Sequence, residues 1–146
     1  RWATGLATFN KEVLEEAFEN GYVEKWAGVD NTPIPTNKEE QIIAEEIQVT
    51  STDTLLQSNN LSKVDFLQID TEGFDFEVIK LFLGNTLGIK PTGIIYEHFH
   101  LSNEDITKCE SFLYENGYIT KQYGGNTAAL LKSDKPYFSA LEKYFQ

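Results

Sequence analysis

Cysteine, histidine and basic residues are all scarce in this chain of 146 residues. The single cysteine, Cys109, excludes a disulfide within the chain and a cysteine-based zinc site. Only 12 lysine and arginine residues stand against 23 aspartate and glutamate residues, which gives a formal net charge of −11. A surface so negative repels the phosphates of nucleic acids and anionic lipids, so neither nucleic acid nor a membrane is expected as a partner.

Long hydrophobic runs are missing as well. No apolar stretch reaches the roughly 20 residues that a bilayer-spanning helix needs. Together with the single cysteine, this favours a reducing compartment, and the expected location is cytoplasmic. Hydrophobic residues make up 40% of the chain and aromatic residues 13%, which is the composition of a packed protein rather than a disordered one. The length fits a single domain, residues 1–146.

The first half of the chain contains weak signals. Asn10 is expected to cap a helix over residues 11–20, which Gly21 ends before a strand begins. Residues 47–49 alternate between apolar and polar and predict a second short strand. Thr52 or Asp53 is then expected to cap a short helix.

The second half alternates between strand and helix patterns. Residues 64–69 (VDFLQI) and residues 93–98 (GIIYEH) are typical of buried strands. Helical spacing follows each strand, beginning near Phe74 and after a capping box at Ser102.

Residues 124–125, both glycine, predict a hairpin turn between two late strands, and residues 135–145 predict a last helix. The order predicts an α/β fold: a mainly parallel sheet with a terminal antiparallel hairpin. The runs 64–69 and 93–97 are expected to lie side by side, covered on both faces.

Polar side chains follow both of these strands. Asp70 and Glu72 come directly after the first strand, and Glu97, His98 and His100 end or follow the second. Ligands of an open parallel sheet bind beyond the carboxyl ends of its strands. The five residues are therefore predicted to converge on one rim of the sheet.

Two chemistries and one structural explanation fit this rim. A carboxylate beside a histidine can accept a proton from a hydroxyl, or the two can bind a divalent cation. Asp70 and Glu72 could instead cap the following helix, with Gly73 supplying a tight turn. The spacing E-H-x-H lacks the helix that makes zinc motifs specific, so the sequence assigns no metal ligand.

A family resemblance adds to this interpretation. The stretch VDFLQIDTEGFDFEVIK resembles the signature of FkbM-type methyltransferases, a strand D-x-L-K-I-D-V-E-G followed by a helix E-x-E-V-L-K-G. It departs at Gln68, Thr71 and Asp75, where the family usually has lysine, valine, and glutamate or alanine. KPTGIIYEHFHLS, GLATFNKE and the V-x-T-x-D-x-L segment at residues 49–55 are also similar, so the resemblance covers most of the chain.

The resemblance implies a Rossmann-like class I methyltransferase sheet. It also implies S-adenosylmethionine as methyl donor and, as small-molecule acceptor, a hydroxyl of a sugar or natural product. The family's cofactor turn, D-x-G-A-N-x-G, has no counterpart here, because residues 124–126 (GGN) lie between late strands. We therefore expect a partial fold, the carboxyl-terminal part that lacks the cofactor-binding strands, with unknown cofactor residues and an incomplete enzyme.

The resemblance also implies roles for the rim. Asp70, Glu72 and His98 are the expected catalytic residues, with Asp70 or His98 accepting the hydroxyl proton. Glu97 and His100 are expected to contact the substrate. The alternative is a magnesium ion held by Asp70 and Glu97, as in some related oxygen methyltransferases.

Two other classes of function remain open. One is a non-catalytic binding module that keeps half of a methyltransferase fold. The other is a small metal-dependent enzyme that does not use S-adenosylmethionine. A partial sheet would also expose the edge of residues 64–69, which predicts a homodimer or another oligomer.

Overall fold

The computed structural model describes residues 7–145, which form six α-helices and four strands. Gly5 and Leu6 of the GLATFNKE segment lie outside the described residues. In chain order the elements are α1 (Lys11–Glu19), α2 (Tyr22–Val29), α3 (Thr52–Ser58), β1 (Phe66–Ile69), α4 (Asp75–Leu83), β2 (Gly93–Glu97), α5 (Asn103–Glu115), β3 (Tyr118–Tyr123), β4 (Asn126–Leu131) and α6 (Pro136–Glu142), with a 3₁₀ turn at Lys38–Glu40. No helix among these residues is long and apolar enough to cross a membrane.

The four strands form one sheet in the order β1-β2-β4-β3. Strands β1 and β2 are parallel neighbours, with Ile69 opposite Tyr96, which confirms the predicted pairing. Strand β4 lies between β2 and β3 and runs antiparallel to both. The tight turn after β3 reverses the chain between β3 and β4. The prediction of a mainly parallel sheet is therefore wrong for residues 7–145, where one strand pairing is parallel and two are antiparallel.

One face of the sheet carries the core. Ile94 lies opposite Ala129 and Tyr96 lies opposite Thr127, so alternate residues of β2 and β4 point to the same side. Buried residues of α4 and α5, Ile79 among them, pack against this face. The core cluster comprises Ile69, Ile79, Ile94, Tyr96, Cys109, Leu113, Tyr118 and Ala129.

Strand β1 is covered on one face only. Leu67 and Ile69 belong to the packed side, whereas Phe66 is 54% exposed and Gln68 is also exposed. The expected cover on both faces is therefore wrong for β1, because no described element packs over Phe66 and Gln68 closely enough to bury them. Strand β1 lies at the edge of the sheet, with β2 as its one partner among the described strands. Formation of a homodimer or another oligomer through the other side of β1 stays a prediction.

Two predicted strands in the first half are wrong. The chain continues after Gly21 as helix α2, in which Val23 and Ala27 lie one turn apart and are both buried. Residues 47–49 form no strand, and Ile47 and Val49 are 60% and 80% exposed. Alternation alone does not form a strand where no neighbouring strand supplies hydrogen bonds.

The predicted caps of α1 and α5 are confirmed. The side chain of Asn10 accepts a hydrogen bond from the Glu12 amide, and Ser102 Oγ accepts one from the Asp105 amide. Helix α3 differs, because Ser51 caps it in place of Thr52 or Asp53. The last helix, α6, is shorter than residues 135–145.

Replacing Ile79 with alanine is expected to lower the free energy of unfolding by about 2–5 kcal/mol, because the side chain is fully buried between α4 and the sheet. Urea denaturation measures the change. Leu81→Ala on the same helix is the matched control, since Leu81 is 65% exposed. Its effect should stay below about 0.5 kcal/mol. A loss at Leu81 as large as that at Ile79 would contradict the assigned core face.

Candidate functional site

The first part of the site is the turn that follows β1. Glu72 and Gly73 both have positive φ angles, 51° and 95°. That conformation is unfavourable for glutamate, and surrounding contacts hold it. Thr8 Oγ1 donates a 2.6 Å hydrogen bond to the Glu72 carbonyl oxygen. A Cβ at position 73 would lie 3.2 Å from Val13 Cγ2 and 3.4 Å from the His100 carbonyl oxygen, so glycine lets three segments meet here.

The second part is the loop that follows β2. The His98 amide donates a 2.8 Å hydrogen bond to the Gly125 carbonyl oxygen. His98 Nδ1 lies 2.8 Å from Thr127 Oγ1, and Thr127 is fully buried in β4. This contact holds the His98 ring against β4, while the chain continues to His100.

Three side chains from these two segments converge, and we call them the carboxylate–histidine cluster: Glu72, Glu97 and His100. Glu72 Oε2 lies 2.9 Å from His100 Nε2, and Glu97 Oε2 lies 4.0 Å from the same nitrogen. The three side chains are partly buried, with exposed fractions of 15%, 24% and 27%. The parallel pairing of β1 and β2 brings their carboxyl ends to the same sheet edge, which places the cluster there.

The other two predicted site residues are placed differently. Asp70 is exposed at the start of the turn, where its negative charge acts on Glu72 and Glu97. The ring of His98 is bonded to Thr127, and no described ion pair joins it to the cluster. The catalytic roles expected for Asp70 and His98 stay predictions.

Burial raises the proton affinity of both carboxylates in the cluster. For Glu97, burial first and then the nearby negative charges of Glu72, Asp70 and Asp75 together raise the pKa from 4.5 to about 7. Burial also raises the pKa of Glu72, an effect that His100 opposes. Glu97 can therefore take up and release a proton near neutral pH, as a general base requires.

The cluster also has the chemistry of a cation site. One ligand atom from each of Glu72, Glu97 and His100 lies within 4.8 Å of the others. Glu97 Oε2 is buried and has no hydrogen-bond partner among the described residues. Two carboxylates and an imidazole suit divalent ions such as Mn²⁺, Fe²⁺ or Zn²⁺. The geometry thus fits either a proton acceptor or a divalent cation.

The described residues do not form a comparable site for S-adenosylmethionine. In Rossmann-like sheets, the nucleotide part of a ligand binds at a glycine-rich turn between a strand and a helix, where backbone amides face the ligand. Gly124 and Gly125 instead form the turn between β3 and β4. Among residues 7–145, no strand-to-helix turn with that glycine pattern occurs.

The sequence interpretation missed one residue of this region. Asp75 is fully buried, and the sequence analysis treated it only as a variation within the signature. The available signal was a carboxylate between Phe74 and Phe76 at the start of an apolar helix. A charge in that setting needs hydrogen-bond donors around it.

Comparison with protein-family models gives a match to the methyltransferase FkbM domain over residues 4–120. The matched segment includes the β1 signature, the β2 strand end and the whole carboxylate–histidine cluster. Neither the curated proteins nor the solved structures contain a match to this chain.

Raising the pH from about 4.5 to about 7 is expected to lower the free energy of unfolding through Glu97. The folded protein binds this proton more tightly than the unfolded chain, because the pKa is about 7 rather than 4.5, and it loses that advantage over this interval. Urea denaturation at a series of pH values should therefore show a steeper fall for the wild type than for Glu97→Gln. Glu115→Gln, at an exposed position, is the control and should keep the wild-type slope. Equal slopes for the wild type and Glu97→Gln would contradict the raised pKa.

Proposed function

Because the chain belongs to the FkbM methyltransferase family, we propose that it acts in transfer of a methyl group from S-adenosylmethionine to a hydroxyl of a small molecule, a sugar or another natural product. The family match supports methyl transfer in general. The observation that carries the choice of a hydroxyl acceptor is Glu97. This carboxylate is partly buried beside His100, and its Oε2 has no hydrogen-bond partner among the described residues. A hydroxyl group of the acceptor could donate a hydrogen bond to this oxygen.

In the proposed mechanism, the methyl group would leave the sulfonium sulfur, which becomes the thioether of S-adenosylhomocysteine, and would join the acceptor oxygen while Glu97 accepts the hydroxyl proton. The proton then passes from the Glu97 carboxyl to water. A pKa of about 7 leaves a large fraction of Glu97 ionised at neutral pH and still basic enough to take the proton. Glu72 holds the His100 ring through the 2.9 Å contact, and the ring lies beside the Glu97 carboxylate.

Glu97 is a better candidate for this step than the residues that the sequence favoured. Asp70 is exposed to solvent at the start of the turn, whereas Glu97 is partly buried beside His100. His98 shares a hydrogen bond with Thr127 through Nδ1 and points toward β4.

A divalent cation in the carboxylate–histidine cluster is the second candidate mechanism. The close approach of three ligand atoms and the unpartnered Glu97 Oε2 favour it. Such an ion would bind the acceptor oxygen and lower the pKa of its hydroxyl. The general-base mechanism is preferred because Glu97 can perform it without an additional component.

The deciding experiment incubates the full-length gene product that contains residues 1–146 with S-adenosylmethionine and a panel of monosaccharides and hydroxylated natural products. Mass spectrometry detects the methylated product. Glu97→Gln should then lower kcat by about 10²–10⁴-fold, the usual contribution of a general base. Glu115→Gln is the matched control and should leave kcat unchanged. Full activity of Glu97→Gln would overturn the assigned base, and parallel assays of Asp70→Asn and His98→Ala would show whether either residue has that role.

A chelator separates the two mechanisms. If EDTA leaves kcat unchanged, the cation mechanism is wrong. If EDTA abolishes activity and Mn²⁺ or Mg²⁺ restores it in the wild type but not in Glu72→Gln, the cation mechanism replaces the general base. Absence of any methylated product across the panel would contradict the proposed methyl transfer and favour a non-catalytic binding module.

A polypeptide of residues 1–146 is expected to bind S-adenosylmethionine weakly or not at all. The described residues lack the glycine-rich turn that would face its carboxylate and ribose. Isothermal titration calorimetry measures the affinity directly. Micromolar binding by this polypeptide would contradict the prediction.

A further inference from the structure

Asp75 is a fully buried carboxylate that the proposed mechanism does not use. It is the first residue of α4, and three hydrogen bonds end on it. Oδ2 accepts from the Thr71 amide at 3.3 Å and from Thr71 Oγ1 at 2.9 Å. Oδ1 accepts from the Glu97 amide at 3.2 Å. The two oxygens of one side chain thus join the turn after β1 to the end of β2.

These bonds lie where the β1–β2 ladder stops. The last paired residues are Ile69 and Tyr96, and beyond them β1 turns away from the sheet. The Ile69–Tyr96 pair of this parallel ladder places the Glu97 amide against the Ile69 carbonyl oxygen, the last acceptor that β1 offers. Asp75 Oδ1 accepts from the same amide at 3.2 Å and so adds a second acceptor at the point where the ladder ends. The same carboxylate fixes Thr71, the residue before Glu72.

We propose that Asp75 is the positioning residue of the carboxylate–histidine cluster, because its carboxylate holds the backbone beside Glu72 and at Glu97 so that both side chains converge on His100. The catalytic part of this inference rests on the proposed function, whereas the geometric part does not. Asp75 does not contact the acceptor in this arrangement. It acts through the two backbone segments that carry the cluster.

A carboxylate suits this position better than an amide does. Donors approach both oxygens, and an amide side chain would offer one oxygen and turn its NH₂ group toward the other donors. The amino terminus of α4 also favours the negative charge. Burial of a carboxylate without such bonds is unfavourable, and the three donors and the helix terminus offset that cost for Asp75.

Asp53 supplies a matched control within the same chain. Its carboxylate also joins two segments, since it accepts from the Thr86 amide at 2.9 Å and from Thr86 Oγ1 at 2.7 Å. This pair ties α3 to the loop after α4 and carries no residue of the cluster. If the role of Asp75 is only structural, the variants Asp75→Asn and Asp53→Asn should behave alike once folded.

The first part of the test needs no substrate. NMR spectroscopy of the intact protein follows hydrogen exchange of the Glu97 amide and nuclear Overhauser contacts between the Glu72 and His100 side chains. In Asp75→Asn, exchange should accelerate by about threefold to tenfold, the factor that a bond of about 0.7–1.4 kcal/mol corresponds to, because the Ile69 carbonyl oxygen still accepts from this amide. The Glu72–His100 contacts should weaken. Asp53→Asn should leave both readouts at their wild-type values, and unchanged contacts in folded Asp75→Asn would overturn the proposal.

The second part uses the acceptor that the methylation panel identifies. Asp75→Asn should lower kcat about 100-fold, the usual effect of displacing catalytic groups by about 1 Å, with KM for S-adenosylmethionine changed less than about twofold. Asp53→Asn should keep kcat within about twofold. Equal kcat losses in the two variants would show a general effect on folding and overturn the positioning role.

A milder variant covers the case in which Asp75→Asn does not fold. Thr71→Val removes only the 2.9 Å bond to Asp75 Oδ2 and leaves the Glu97 bond in place. It should weaken the Glu72–His100 contacts and lower kcat by a smaller factor, and an unchanged cluster would count against the proposal. If the panel yields no methylated product, the proposed function fails, and the NMR result alone decides whether Asp75 positions the cluster.

Discussion

The parallel pairing of β1 with β2 is the constraint on which the rest of the site depends. Ile69 and Tyr96 end that pairing side by side, so the two following segments leave the sheet at the same edge. Glu72 and His100 are distant along the chain and meet only for this reason. Helices α4 and α5 stabilise the pairing, since their apolar residues bury Ile94 and its neighbours on one face.

The carboxylate–histidine cluster is unfavourable for folding and useful for chemistry. Burial and, to a lesser extent, the neighbouring carboxylates raise the pKa of Glu97 to about 7, so the folded protein favours its protonated form. The positive φ of Glu72 adds backbone strain at the same turn. Strain and like charges held together by surrounding contacts are common at functional sites, where the geometry serves the reaction rather than stability.

The family match and the geometry describe different parts of the reaction. The match to the methyltransferase FkbM domain supports methyl transfer. The cluster supplies groups for the acceptor side, because a base or a cation must contact the hydroxyl. The described residues provide no glycine-rich turn for the methyl donor. The acceptor side is therefore where variants of this chain are most informative.

The sequence by itself determined the elements whose signals are local. Apolar runs placed β1 and β2, Ser102 marked the start of α5, and the signature around Asp70 and Glu72 identified the family. Local signals failed at α2 and at residues 47–49, where the choice between helix, strand and loop depends on available neighbours. Only the tertiary structure selected His100 over His98 for the cluster and showed Asp75 beneath it. Both outcomes depend on where a side chain points beyond the end of a strand, and contacts with other elements decide this. The ring of His98 lies against Thr127 of β4, and Asp75 of α4 lies against the Glu97 amide.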